Sequence, residues 1–183
     1  PAFDGKQRSC YAMAMSADGS AEITMYGEIV NSQPVDPRTG KPLEGNYIIK
    51  SEFLMDLQSI AFARKLTIRL DSLGGDAYAS LLIYNRLKEL RAEKIVQVDG
   101  VAMSGGCAIM CAGDTVRVNP GSLIMVHKSK AWMNGWYSED DLDQIRQSNI
   151  TTDKALANVY AAKTGKGEAA MIALMKNQTY LTG

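Results

Sequence analysis

Twice between residues 65 and 111 the chain passes from a strand pattern, through a glycine-bearing turn, into an apolar helix pattern. In the first passage Leu66, Ile68 and Leu70 alternate with Lys65, Thr67 and Arg69, the two-residue period of a strand. The turn D-S-L-G-G-D follows at 71–76, and Ile83, Leu87 and Leu90 then recur at helical spacing. In the second passage K-I-V-Q-V at 94–98 reads as a strand, Gly100 to Gly106 as a turn, and about Cys107 to Cys111 as an apolar helix. Strands that alternate with helices pack as stacked β-α-β units, because a helix is the usual connection between parallel neighbours. The expected class is therefore α/β with mainly parallel pairing.

The remaining segments fit that class. Residues 22–30 (E-I-T-M-Y-G-E-I-V) read as a strand, and Ile49, Phe53, Leu57 and Ile60 as a helix. Between them, 31–46 is an extended loop carrying Pro34, Pro37 and Pro42, three of the chain's five prolines. It is long for a compact domain and has few apolar anchors, so it is expected to be mobile or ordered only by neighbours. Residues 115–118 and 122–127 read as two strands parted by Asn119-Pro120-Gly121. A polar, mostly helical stretch covers about 138–163, Gly165 and Gly167 break it, and a short helix spans about 168–176. With 183 residues, 46% of them apolar, the chain suits a single domain over residues 1–183. Its stop at Thr182-Gly183, straight after Tyr180-Leu181, reads as a truncation.

Composition narrows the function classes. Twenty basic and twenty acidic residues cancel, which argues against a broad electrostatic grip on nucleic acid. No run of eighteen apolar residues is present to span a membrane, and no apolar core of a signal peptide is visible near the start. The three cysteines are Cys10, Cys107 and Cys111, an odd count without framework spacing. This implies a reducing, cytoplasmic setting rather than a disulfide scaffold. Cys107 and Cys111 share a helix face, but one histidine and no further cysteine nearby make them buried apolar side chains rather than metal ligands. No metal and no other cofactor is expected.

His127 is the only histidine, so any Ser–His or Cys–His mechanism near neutral pH must use it. It ends the apolar run L-I-M-V at 123–126, where a strand delivers it to a sheet edge; a structural histidine fits the same place. Ser104 lies in G-V-A-M-S-G-G-C-A at 100–108, with a strand leading in and a helix leading out. A serine nucleophile needs such a turn so that its Oγ stands clear of the backbone. The pattern is A-x-S-x-G rather than G-x-S-x-G, and an N-cap serine accounts for it too. Gly74 and Gly75 occupy the other turn, where backbone N–H groups can face a ligand. Opposite Ser104, that turn and the N–H of Gly105 would form an oxyanion hole. No phosphate-binding glycine motif is present.

These segments resemble a family. D-S-L-G-G-D-A-Y-A-S-L-L-I-Y (71–84) is similar to the S-P-G-G segment and following helix of the Clp protease proteolytic subunits. G-V-A-M-S-G-G-C-A-I-M-C-A-G (100–113) resembles their G-x-A-A-S-M-G stretch, and N-P-G-S-L-I-M-V-H (119–127) their P-N-S-x-x-M-I-H. A-K-T-G (162–165) and Y-L-T-G (180–183) match their H-T-G and F-L-S-A. The resemblance runs in order from about residue 22 to 183. It implies a crotonase-like fold of stacked β-α-β units with a protruding helical handle at about 138–163. It also implies a serine endopeptidase: Ser104 the nucleophile, His127 its base, Gly75 and Gly105 the oxyanion donors. The implied substrate is a peptide or protein lying extended between 76–78 and the strand near 128–133, and the implied assembly a ring-shaped homo-oligomer joined through the handles.

Three departures qualify it. The family's triad aspartate falls thirteen residues after Gly165, on Gln178; Asp153, or a residue beyond the truncated end, is the other candidate for the missing carboxylate. The loop 31–46 exceeds the family's short connection. The start, P-A-F-D-G-K-Q-R-S-C, within a divergent segment 1–21, does not resemble the axial segment that family members use with an AAA+ ATPase, which leaves that partner open. The loop and the start look more like the Clp-related prohead proteases that mature tailed-phage heads, in a host cytoplasm or prohead. Two other functions stay open: a catalytically impaired structural subunit, as Gln178 suggests, and a non-peptidase crotonase-like enzyme acting on acyl-CoA.

Overall fold

The structure is a computed structural model and describes residues 10–183. The sequence expectation for 1–9 lies outside the described residues. One mixed sheet organises the rest. β1 (Tyr11–Met15) and β2 (Ser20–Val30) form an antiparallel pair, and β3 (Tyr47–Ile49) runs parallel to the end of β2. Helix α1 (Lys50–Asp56) and a 3₁₀ turn (Leu57–Ile60) lead to β4 (Lys65–Gly75). Then come α2 (Ala77–Glu89), β5 (Glu93–Met103), α3 (Gly105–Met110), β6 (Thr115–Val118) and β7 (Leu123–Val126). α4 (Glu139–Thr164), α5 (Glu168–Lys176) and β8 (Thr179–Thr182) complete the chain.

The sheet order is β1-β2-β4-β5-β7-β8, with β3 on β2 and β6 on β5. All pairings are parallel except β1–β2 and β7–β8. The expected α/β class with stacked β-α-β units holds. β4 and β5 carry the core because their alternate residues are apolar: Leu66, Ile68, Leu70, Val96 and Val98 are buried, and Ile83, Leu87 and Ile109 from the covering helices pack over them. Burying each such side chain contributes roughly 1.5–3 kcal/mol.

Both β4 and β5 run further than their alternation suggests. β4 continues through the D-S-L-G-G turn to Gly75, and β5 through Gly100 to Met103. The β4–β5 register shifts between Leu70–Val98 and Ser72–Ala102; β5 carries the extra residues, and the bend this makes brings the two turns together.

α4 is the protruding handle. Its start is a capping box: Asp141 N–H donates to Ser138 Oγ (3.2 Å) and Ser138 N–H to Asp141 Oδ2 (2.9 Å). Gly165, at φ 71°, ends it in the left-handed conformation that glycine adopts without strain. Residues before 149 are almost all exposed, whereas Thr152, Asp153, Leu156, Ala157, Val159 and Tyr160 are buried. The loop 31–46 folds back on itself: Val35 bridges Pro42, Asp36 N–H donates to Lys41 O (2.9 Å) and Leu43 N–H to Pro34 O (2.9 Å). Its prolines therefore sit in a closed turn rather than a featureless span.

Candidate active site

Ser104 is the first residue beyond β5. Met103 pairs with Met125 of β7, and Ser104 N–H donates to Met125 O at 2.8 Å. The backbone there has φ 52° and ψ −119°, a conformation costing a non-glycine residue about 1–3 kcal/mol. It persists because Ser104 is held on both sides. Its carbonyl accepts from Cys107 N–H (3.0 Å) and from the buried Tyr160 hydroxyl (3.1 Å). Ser104 does occupy the N-cap of α3, but its side chain makes no capping hydrogen bond. Capping therefore does not account for the hydroxyl.

The Gly74-Gly75 turn presses against this bend. Gly74 (φ 95°) and Gly75 (φ 137°) both lie in the positive-φ region. A β-carbon at Gly74 would stand 2.6 Å from Met103 O and 2.7 Å from Gly105 N, and one at Gly75 would run into Ile29 O. Only glycine fits either place. Ser72 pins the turn: its Oγ donates to Gly27 O (2.6 Å) and accepts Gly74 N–H (3.1 Å). With Gly74 N–H committed, Gly75 is the one of the pair that remains a candidate oxyanion donor. Gly105, the first residue of α3, has an N–H without an intrahelical acceptor. Ser72 was not singled out from sequence, although a serine two residues ahead of Gly-Gly carries the signal of a side-chain-stabilised turn.

His127 follows β7 directly. Ser104, His127, Gly75 and Gly105 line one cavity of about 450 Å³ on the α4 side, together with Tyr78 and Lys130. Ser104, His127 and Gly75 also border a second cavity, of about 840 Å³, with Tyr26, Asp71 and Leu73. A chain crossing Ser104 would thus find space on both sides. Among the described residues no hydrogen bond joins Ser104 to His127. His127 Nδ1 is buried without a partner, which leaves Nε2 as the nitrogen that can face a substrate. Burial, and then the Lys130 ammonium, push the imidazole below its ordinary 6.5, while the Asp153 carboxylate pulls the other way. The ring is therefore neutral, and able to take a proton, at pH 7.

The β7–β8 pairing ends at Val126 with Thr179; His127 is the residue just after the one and Gln178 the residue just before the other. Gln178 has φ 48°, and its N–H donates to Met175 O at 3.2 Å. Its side-chain amide is exposed and donates to the Tyr180 hydroxyl at 3.2 Å, not to His127. Gln178 lines neither cavity. Asp153 is instead buried in α4 and bound to Ser129. Cys107 and Cys111 are buried and free, and no group of metal-ligating side chains occurs among the described residues.

Comparison with known proteins agrees with this frame. The family model described as "Clp protease" matches residues 44–183. The ATP-dependent Clp protease proteolytic subunit of Deinococcus radiodurans is 23% identical over 177 residues, covering 94% of this chain and 84% of that one. A solved structure of a ClpP1 mutant from Listeria monocytogenes superimposes with a TM-score of 0.66 at 16% identity, covering 88% of this chain and 82% of that one; at that identity it speaks for the fold alone. The Na(+)/H(+) antiporter NhaA of Brucella melitensis biotype 1 is 40% identical over 72 residues, which are 35% of this chain and 10% of the antiporter. No helix among the described residues is long and apolar enough to cross a membrane.

Proposed function

The chain belongs to the Clp protease family, and from that premise we propose that it is a serine endopeptidase whose nucleophile is Ser104 and whose base is His127. The observation that carries the reading is the conformation of Ser104. A residue held at φ 52° on a strand-to-helix bend, its hydroxyl uncapped, beside a turn that only glycine can form, is strain kept at one point. His127 shares two cavities with it. In the proposed reaction Ser104 Oγ bonds to the peptide carbonyl carbon as its proton passes to His127 Nε2. The carbonyl oxygen takes the negative charge and is met by the N–H groups of Gly75 and Gly105. The C–N bond then breaks, His127 returns the proton to the leaving amine, and water hydrolyses the acyl-enzyme by the same steps in reverse.

Gln178 is the proposed third member. Its carbonyl can accept a hydrogen bond from His127 Nδ1–H only after its side chain turns away from Tyr180. An amide orients the imidazole but does not balance the imidazolium charge, so the triad works below the rate a carboxylate would give. The physiological form proposed is a ring-shaped homo-oligomer joined through α4, whose exposed first half includes the apolar Leu142. A role in maturing phage heads is the finer reading, supported by the 31–46 turn, which exceeds the family's short connection. Fluorogenic peptide hydrolysis tests the activity: turnover by the wild type, lost in Ser104→Ala, is expected. Turnover that survives Ser104→Ala would refute the assignment. Sedimentation at tens of micromolar tests the ring, and a monomer would refute it.

A further inference from the structure

Asp153 is a buried carboxylate in the middle of a helix, 4% exposed, at a position where the neighbouring inward residues are Leu156, Ala157 and Tyr160. Burying a charge there is costly unless partners compensate for it. Its partners all come from the two residues that follow His127. Asp153 Oδ1 accepts Ser129 N–H at 2.7 Å and the Ser129 hydroxyl at 2.8 Å, and Lys128 Nζ lies 3.5 Å from Oδ2. Ser129 Oγ also lies 3.2 Å from Asn149 O. The chain leaving β7 is thereby tied to α4 immediately beyond the histidine.

We infer that Asp153 is a positioning residue for His127: it fixes the backbone on which the imidazole is mounted and sets a negative charge behind a ring that has no carboxylate on Nδ1. The inference rests on the serine-peptidase reading. Every other charged group around the ring leaves this task undone. Lys130, on the same segment, acts in the opposite sense. Glu28 of β2, Asp76 at the start of α2 and Asp71 of β4 border the same cavities, but none of them is among the groups that act on the imidazole: Glu28 is exposed, Asp76 caps α2 through Ala79 N–H (2.7 Å) and Asp71 accepts Val101 N–H (2.9 Å). Lys128 is itself paired with Asp153. Asp153 alone joins a direct hold on the segment that follows the histidine with an electrostatic pull on its ring.

Since His127 is the only histidine, its ring-proton titration by NMR reports on it without assignment and without activity. Asp153→Asn keeps an acceptor for Ser129 and removes the charge. The expected result is a His127 titration at lower pH than in the wild type, with the acid limb of Ser104 labelling by a fluorophosphonate moving the same way. Lys130→Gln is expected to move both to higher pH. Ser129→Ala keeps the charge and loosens the tether; it is expected to slow labelling about tenfold without moving the limb, and serves where Asp153→Asn does not fold. A His127 titration unchanged in Asp153→Asn, or labelling unchanged in Ser129→Ala, overturns the inference and leaves Asp153 a structural residue. A wild type that never labels at Ser104 removes the peptidase reading itself, and this inference with it.

Discussion

On the nucleophile side, Ser104 is fixed by its neighbours: Met125 O takes its N–H, Tyr160 and Cys107 take its carbonyl, and the Gly74-Gly75 turn closes over it. On the base side, His127 leaves a four-residue strand with Nδ1 buried and unpartnered, and Gln178 gives its side-chain amide to the Tyr180 hydroxyl. Backbone geometry over short stretches of chain makes the first half, which leaves it little freedom. The second is assembled from β7, α4 and β8, so it depends on side chains that can rotate. The account therefore expects backbone changes on the nucleophile side to be costly and the base side to be adjustable.

The largest effects lie on the fixed side. Ser104→Ala is expected to lower peptide turnover at least about ten-thousand-fold with little change in urea unfolding. Gly74→Ala places a β-carbon against Met103 O and Gly105 N at a φ of 95°, so both halves of the turn must shift. It should cost about 2 kcal/mol or more in unfolding free energy and about a hundredfold in turnover, through the displaced Gly105 N–H. A Gly74→Ala protein with wild-type stability and rate would show that the turns are less tightly joined than described.

The adjustable side should move less, and in both directions. Gln178→Glu, which keeps length and adds charge, is expected to raise turnover about tenfold. If Gln178→Glu and Gln178→Ala both match the wild type, Gln178 has no part in orienting His127. On the fixed side the mildest change is Tyr160→Phe, which removes one of the two hydrogen bonds to the Ser104 carbonyl and should cost about 1 kcal/mol in stability, with a few-fold loss of rate. The pH profile gives the smallest effect. Only neutral imidazole can take the Ser104 proton, and burial with Lys130 lowers the His127 value. Activity therefore persists as pH falls through 6.5 and drops only below it. An acid limb of kcat/KM centred above 6.5 would contradict the described surroundings of His127.

The same contrast decides what the sequence made legible. Alternation in 65–70 and 94–98 and helical spacing in 83–90 located β4, β5 and α2, because each buries one face along a continuous stretch. The helical stretch read at about 138–163, broken by Gly165, matches α4 to within a residue or two of its structural ends. β1, β3 and β8 were not anticipated. β3 has three residues, and the Tyr180 and Leu181 of β8 are exposed, so neither carries a period to read. The turns at 71–76 and 100–106 read as breaks, whereas both strands run on through them, since a bulge keeps hydrogen bonding while it spoils alternation. Ser104, His127, Gly75 and Gly105 were legible as candidates from their places on those turns and strands. The tie between Asp153 and Ser129 was not, because it joins residues twenty-four apart and shows no periodicity in either.

The central claim is that Ser104 is the activated nucleophile, and its most direct test is mass spectrometry of the intact protein after reaction with a fluorophosphonate probe, followed by peptide mapping. The account predicts a single adduct on Ser104, absent in Ser104→Ala and much slower to form in His127→Ala. An adduct on another serine that forms equally in Ser104→Ala would contradict it.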